Sequence, residues 1–281
     1  MFADYHVHCE FSDDSDYPMA DVCRDAVGMG IEELCFTDHV DYGIKPDVEE
    51  FEAGTPTRYE DGKPILNVDY PRYLEKIDSL RTDYAGRLTI KAGLELGTQR
   101  HTVEKNHALV ERYRDKLDFI ICSIHEVGDK EFWTGEFQEG RSQDEYNMAY
   151  YEEMLAVVET FHDYCVLGHL DLIKRYDPAG IYPFEKTRDI TAAILERVIA
   201  DGKGIELNTS SFRYGLPDLQ PCTEVLKLYL DLGGKVLTLG SDSHKPEHLG
   251  AHIPECRDRL RAMGYTRFCT YTHFEPKFHE L

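Results

Sequence analysis

The sequence predicts an α/β protein folded as a parallel β/α barrel. Three observations carry that expectation. Strand-like and helix-like stretches alternate along all 281 residues, giving seven strand–helix units in order. The apolar strand runs end in polar groups, most of them of the metal-ligand type. No Gly-rich turn follows the first strand, so a dinucleotide-binding open sheet has no support. No linker of shifted composition divides the chain, and residues 1–281 are read as one domain.

The first strand, Phe2-Ala3-Asp4-Tyr5, runs directly into His6-Val7-His8. Side chains alternate along a strand, so His6 and His8 face the same way, half of a metal site. A Ser- and Asp-rich turn then brings Asp14, a further oxygen ligand, within reach. A helix is expected from Met19 to Gly30, opened by Pro18 and closed by Gly30. Strand Glu33 to Thr37 ends in Asp38-His39. The stretch from Val40 to Asp69 is only weakly periodic, and its tip, Ala53 to Arg58, reads as an exposed loop or lid.

Helix Tyr70 to Tyr84 leads to strand Leu88 to Leu94, which ends in Glu95. Helix Thr102 to Arg114 leads to strand Phe119 to Ile124, which ends in His125. A second irregular segment, Glu126 to Gly140, holds the only tryptophan, Trp133. Helix Asp144 to Phe161 precedes strand Tyr164 to Leu167, ending in Gly168-His169. Loop Leu172 to Pro183 and helix Phe184 to Ala200 come next. Strand Gly204 to Leu207 ends in Asn208-Thr209-Ser210. Helix Cys222 to Leu232 precedes strand Val236 to Leu239, ending in Gly240-Ser241-Asp242-Ser243-His244. A helix from Pro254 to Met263 and a short strand from Arg267 to Tyr271 complete the chain.

Composition narrows the function. The net charge of −22 argues against nucleic-acid or anionic-membrane partners, which need a basic field. The hydrophobic fraction of 42% suits a globular core. Eight scattered cysteines lack any C-x-x-C, and several lie in apolar runs, as reduced thiols of a cytoplasmic protein do. Cys9, next to His8, faces the other side of the strand. No apolar run reaches the length of a membrane span. The ligand pattern starts at residue 6, and no leader is expected.

In a β/α barrel, chemistry sits at the C-terminal ends of the strands. There the chain places His6/His8, Asp38/His39, Glu95, His125, His169, Asn208 and Asp242/His244. Nitrogen and oxygen ligands without thiolate suit Zn²⁺, Mn²⁺ or Fe. Asp38 is a candidate to orient His39 from behind.

The series His6-Val7-His8, Thr37-Asp38-His39, Gly93-Leu94-Glu95, Ser123-Ile124-His125, Gly168-His169 and Gly240-Ser241-Asp242-Ser243-His244 resembles the motif set of the PHP superfamily of polymerases and histidinol phosphatases. The resemblance runs from residue 6 to 244, and order, spacing and strand-end context agree. It implies a distorted seven-stranded barrel with three divalent metal ions. The first would take His6, His8, Glu95 and Asp242. The second would take His125 and His169, with Glu95 bridging. The third would take Asp14, His39 and His244, Asp14 being preferred over the neighbouring Asp13. Glu95, Asp242 and His244 are thereby the catalytic candidates.

Chain length and the stretch Asn208 to Arg213 are most similar to the stand-alone phosphatases of that superfamily. This implies a small phosphate substrate, L-histidinol phosphate first, with another phosphate ester or a nucleotide as the alternative. Clustered ions would activate water at neutral pH and neutralise phosphate oxygens. Arg213 is the leading phosphate contact, and Lys174 and Arg175 are further candidates. Arg100 and His101 follow Glu95 closely enough to line the site. Asp41, Asp171 and Asp177 are candidates for a substrate amine, and Tyr42, Phe132 and Trp133 for an imidazole ring. His107, His162, His248, His252, His273 and His279 lack strand-end placement and read as structural or solvated.

Overall fold

The computed structural model describes residues 1–60 and 62–281. In chain order its elements are β1 (Ala3–Val7), α1 (Met19–Met29), β2 (Glu33–Phe36), β3 (His39–Val40), α2 (Val48–Glu52), β4 (Tyr59–Glu60), β5 (Lys63–Pro64), α3 (Tyr70–Asp83) and β6 (Thr89–Gly97). There follow α4 (Val103–Tyr113), β7 (Phe119–Ser123), α5 (Gln143–Thr160), β8 (Val166–Leu167), α6 (Phe184–Ala200), β9 (Gly204–Asn208), α7 (Thr223–Asp231), β10 (Leu237–Gly240), α8 (Ile253–Met263), β11 (Arg267–Thr272) and β12 (Glu275–Glu280).

Seven strands run parallel in the order β1-β2-β6-β7-β8-β9-β10. The two ends meet just past β10, where His8 N–H donates to the Ser243 carbonyl at 2.8 Å and Ser243 N–H to the His6 carbonyl at 3.2 Å. The result is the nearly closed barrel the alternation predicts. β1 and β7 are buried along their whole length, as expected of strands covered on both faces. The helices end where their sequences say. Gly30 closes α1 in the left-handed region at φ 77°, donating to the Ala26 and Val27 carbonyls. Ser142 and Glu145 form a capping box at the start of α5.

Register delivers the site. The two-residue β3 pairs with β6 so that His39 lies beside Glu95. Gly240 lies beside Asn208, and Thr238 beside Glu206. Beyond Val40 of β3, the described residues of the Val40–Asp69 stretch form α2 and the β4–β5 hairpin, and its tip at Ala53–Pro56 is exposed.

The final strand is not part of the barrel. β11 pairs antiparallel with β12, which the sequence reading did not foresee, and the hairpin closes the end opposite the ligand cluster. The Tyr5 hydroxyl donates to the Tyr271 carbonyl at 3.1 Å and accepts from Tyr271 N–H at 2.7 Å. The Tyr271 ring lies 5.0 Å from that of Phe119. Tyr271 is only 2% exposed, so Tyr271→Ala opens a cavity under the barrel. It is expected to lower unfolding stability by roughly 3–5 kcal/mol, read from the denaturant midpoint, while metal content stays intact.

Candidate metal centre

Glu95 is fully buried at the end of β6, and its two oxygens face different imidazoles. Oε1 lies 2.8 Å from His169 Nε2 and 3.1 Å from His125 Nε2, and accepts from Ser123 Oγ at 2.6 Å. Oε2 lies 3.0 Å from His6 Nε2, 3.1 Å from His39 Nδ1 and 3.4 Å from His8 Nε2. Asp242 Oδ1 closes the other side, 3.7 Å from His6 Nε2 and 3.6 Å from His8 Nε2. Farther out, Asp14 Oδ2 sits 3.0 Å from His244 Nε2 and 3.5 Å from His39 Nε2. The His8 ring stacks at 4.1 Å on both His39 and His244.

This arrangement fits divalent ions. His6 Nε2, His8 Nε2, His39 Nδ1 and Glu95 Oε2 are buried and lack a hydrogen-bond partner among the described residues. Each such atom costs about 1–3 kcal/mol if left unsatisfied. Here they converge on one another, which lone-pair donors do around a cation. Candidate ligand groups include His6-His8-Asp242, His6-Glu95-His169, His39-Glu95-His125 and His8-His39-His244. A fifth group, Asp41-His125-Glu126, adjoins them.

The electrostatics match a site made for positive charge. Burial alone would raise the Glu95 carboxyl, but His6, His125 and His39 hold it well below the usual range. Burial would likewise raise Asp242, which His6, Arg213 and Arg175 hold well down. Burial disfavours charge on His6, yet Glu206, Glu95 and Asp242 raise it well above 6.5. His125 is raised to about 10, Glu95 and Asp41 outweighing burial. His8 is pushed well down by burial and by His244 and His39.

Residues behind the cluster set the tautomers. Glu206 Oε1 bonds His6 Nδ1 at 2.6 Å, and Asp41 Oδ1 bonds His125 Nδ1 at 2.7 Å. Each carboxylate holds the proton on Nδ1 and turns the Nε2 lone pair to the centre. Glycines make the room. A Cβ at Gly240 would lie 2.3 Å from Glu206 Oε1, and one at Gly97 1.9 Å from Asp41 Oδ1. Asp242 itself is held at φ 55°, an uncommon backbone state that Asp tolerates better than most.

Asp13 is turned aside to Lys45 Nζ at 2.6 Å, leaving Asp14 beside the imidazoles. One expectation is corrected here: Asp38 does not touch the His39 ring. It accepts from Cys9 N–H and Ser12 Oγ, both at 2.8 Å, and Ser12 Oγ accepts from His39 N–H and lies 3.2 Å from His8 Nδ1. The Cys9 thiol donates to Asp38 and stays off the centre.

The cluster floors a cavity of about 700 Å³. Arg213 lines it, donating to the carbonyls of Ser241 at 2.8 Å and Asp242 at 2.6 Å. Arg175 also lines it, 3.2 Å from Asp242 Oδ2, and both guanidinium groups rest on the Tyr214 ring. Lys174 does not line this cavity. Its short reach from a 3₁₀ turn takes Nζ to Asp171 at 2.7 Å, beside a separate apolar pocket near Tyr182 and Phe184. Arg100 is drawn to Glu153 and His101 to Asp129, so neither lines the cavity.

The proposed amine and ring contacts mostly fail for the same reason: they already have partners. Asp171 holds Lys174 and Cys222 N–H, and Asp177 holds Tyr146 and Asn147. Asp41 pairs with Lys45 and His125. Phe132 is buried against Phe137 and Tyr150, and the Tyr42 hydroxyl bonds Asp47. Trp133 does line the cavity, as do Arg58 and Glu131, which the sequence reading did not single out. His248, read as structural, lines the mouth as well, whereas His107, His162 and His252 pair with carboxylates elsewhere.

A barrel of this kind, with imidazoles and carboxylates gathered at its strand ends, defines a metal-dependent hydrolase architecture. The PHP domain family matches residues 4–210, and the chain belongs to that family. It is 30% identical to the histidinol-phosphatase of Lactococcus lactis subsp. lactis, over 96% of this chain and 94% of that one. It is 27% identical to a probable histidinol-phosphatase of Thermotoga maritima, over 93% and 92%. The crystal structure of the Lactococcus lactis histidinol phosphate phosphatase, in complex with zinc, L-histidinol and phosphate, superposes with a TM-score of 0.83. That match has 28% identity and covers 98% of both chains.

Glu206 supplies a direct test of the tautomer argument. Glu206→Gln is expected to weaken metal affinity about 10–100-fold, measured by chelator competition on purified protein, with the fold retained.

Proposed function

We propose that this chain is a metal-dependent phosphomonoesterase that hydrolyses L-histidinol phosphate to L-histidinol and phosphate, a step of histidine biosynthesis. The observation that carries the reading is Glu95, whose two oxygens each face a separate set of imidazoles. Three divalent ions are assigned: one at His6, His8, Glu95 and Asp242, one at Glu95, His125 and His169, and one at Asp14, His39 and His244. Zinc heads the candidates, since the Lactococcus structure contains it, and manganese and iron suit the same donors.

When bound, such ions supply Lewis acidity and an activated water for attack on phosphorus. The chain's own groups do the rest. Arg213 and Arg175 stand on the Asp242 side of the cavity and present planar N–H donors to the phosphate oxygens. Arg213 also donates to the carbonyls of Ser241 and Asp242, on the turn that carries Asp242 and His244. Glu206 and Asp41 keep the His6 and His125 lone pairs aimed inward. No described helix is long and apolar enough to cross a membrane, and eight buried free thiols suit a reducing cytoplasm.

The test compares kcat/KM for L-histidinol phosphate, glycerol phosphate and nucleoside monophosphates. A strong preference for the first is expected, and equal values would leave only a general phosphoesterase. Arg213→Ala is expected to lower kcat/KM about 10²-fold with metal content unchanged, and Lys at that position to restore only part. Unaltered kcat/KM would remove Arg213 from the phosphate site. Activity is also expected to fall in acid, because protons compete with metal for the imidazoles, and the carboxylates around His6, His39 and His125 favour their protonated forms. A flat rate down to about pH 5 would contradict histidine ligation.

A further inference from the structure

Resting on the histidinol phosphate reading, we propose that Glu131 receives the substrate's ammonium group and that Arg58 occupies that position in the free enzyme. The carboxylates lining the cavity sort by what they already hold. Asp14, Glu95 and Asp242 stand among the imidazoles. Asp13 and Asp41 share the Lys45 ammonium at 2.6 and 2.8 Å. Glu60 is exposed on the β4–β5 hairpin. Glu131 differs from all of these. Its side chain is only 4% exposed, yet its cationic partner, Arg58, is 56% exposed.

The carboxylate is held firmly and the cation is not. Glu131 sits on a bridge to Glu126, closed by Val127 N–H to the Lys130 carbonyl at 3.2 Å. Thr134 Oγ1 ties down its own carbonyl at 3.0 Å. Arg58 reaches it across the cavity mouth from the hairpin segment, donating from both terminal nitrogens, one of them at 2.7 Å. A half-exposed guanidinium returns to water at little cost. A buried carboxylate left without a cation is costly. An arriving ammonium group therefore exchanges with Arg58, and Glu131 stays paired throughout. Trp133, two residues on, is half exposed, lines the same cavity and lies 6.2 Å from the Tyr176 ring, so an aromatic edge stands ready beside the amine position. The proposal makes Glu131 a specificity residue, separate from the phosphate chemistry at Arg213 and Glu95.

The experiment measures kcat/KM for L-histidinol phosphate and for its analogue lacking the amine, in wild type, Glu131→Gln and Arg58→Ala, with metal content recorded for each. Glu131→Gln is expected to lower kcat/KM for the amine substrate about tenfold or more, chiefly through KM, and to change the analogue by less than about threefold. Arg58→Ala is expected to keep the preference for the amine and to leave KM unchanged or lower. An equal fall on both substrates in Glu131→Gln would overturn the proposal. So would an Arg58→Ala loss matching that of Glu131→Gln, since the pair would then be only a clasp for the hairpin. If Glu131→Gln loses its metal, Glu131→Asp provides the same comparison, with a weakened amine preference expected and an unchanged one counting against the proposal. A wild type that does not prefer L-histidinol phosphate over other esters would fail earlier and would refute the substrate reading itself.

Discussion

The site depends on one buried carboxylate. Glu95 lies near the C-terminal end of the longest barrel strand with no exposure to water, and burial opposes its charge. A lone carboxylate there would take up a proton. Five imidazoles surround it, His6, His39 and His125 holding its charge, and they come from five different places: β1, the turn after it, β3, and the ends of β7 and β8. The barrel's parallel register is what allows it, because each strand brings residues at or just past its C-terminal end to one rim. Move a strand by one residue and its side chain points into the wall instead.

The imidazoles must in turn be aimed, and aiming is done by groups one layer down. Glu206 and Asp41 are hydrogen-bonded to His6 and His125, and each fits only because a neighbouring strand carries glycine at the contact. Asp38 acts at one remove, through Ser12, on the turn holding His8 and His39. Asp4, also buried, does the same on the opposite side, accepting from Ser241 N–H and Oγ and from Gly250 N–H. The candidate metal ligands thus stand on backbone that is itself braced by carboxylates, which is why burying so many acids is tolerated.

What the sequence disclosed follows the same division. The barrel and the inner ligands were legible, because an apolar run ending in His or Glu is a local pattern and it recurs in order. The preference for Asp14 over Asp13 gains its physical reason only in three dimensions, where Lys45 claims the latter. Glu206 was invisible for a different reason. It lies inside a strand reading as apolar, and nothing local shows that its side chain faces His6 across the barrel. Lys174 and Asp171 were misjudged together, since two good candidates on adjacent turns satisfy each other at 2.7 Å. β12 was missed because its alternation is weak and four of its six residues are exposed.

The substrate side was the least legible part, and charge explains what it has to accomplish. A net −22 repels a phosphate dianion at long range. Capture therefore needs a local field of the other sign, and the mouth supplies one in Arg58, Arg175, Arg213 and Lys245, above a floor made to hold cations. The same global charge attracts an ammonium group. A substrate carrying both charges is pulled in by one end and must be turned by the other. On the proposed reading, its orientation is set by fixed groups at strand ends for the phosphate and by loop residues such as Glu131 and Trp133 for the remainder. Strand ends are placed by the barrel and so appear in the sequence as a regular series. Loop residues are placed by contacts between segments far apart in the chain, as Arg58 with Glu131 are, and such contacts leave no periodic trace. The candidate metal cluster thus follows from the fold, whereas the residues of the two irregular segments that line the cavity above it, Arg58 and Glu131 among them, are placed by contacts that no strand pattern marks.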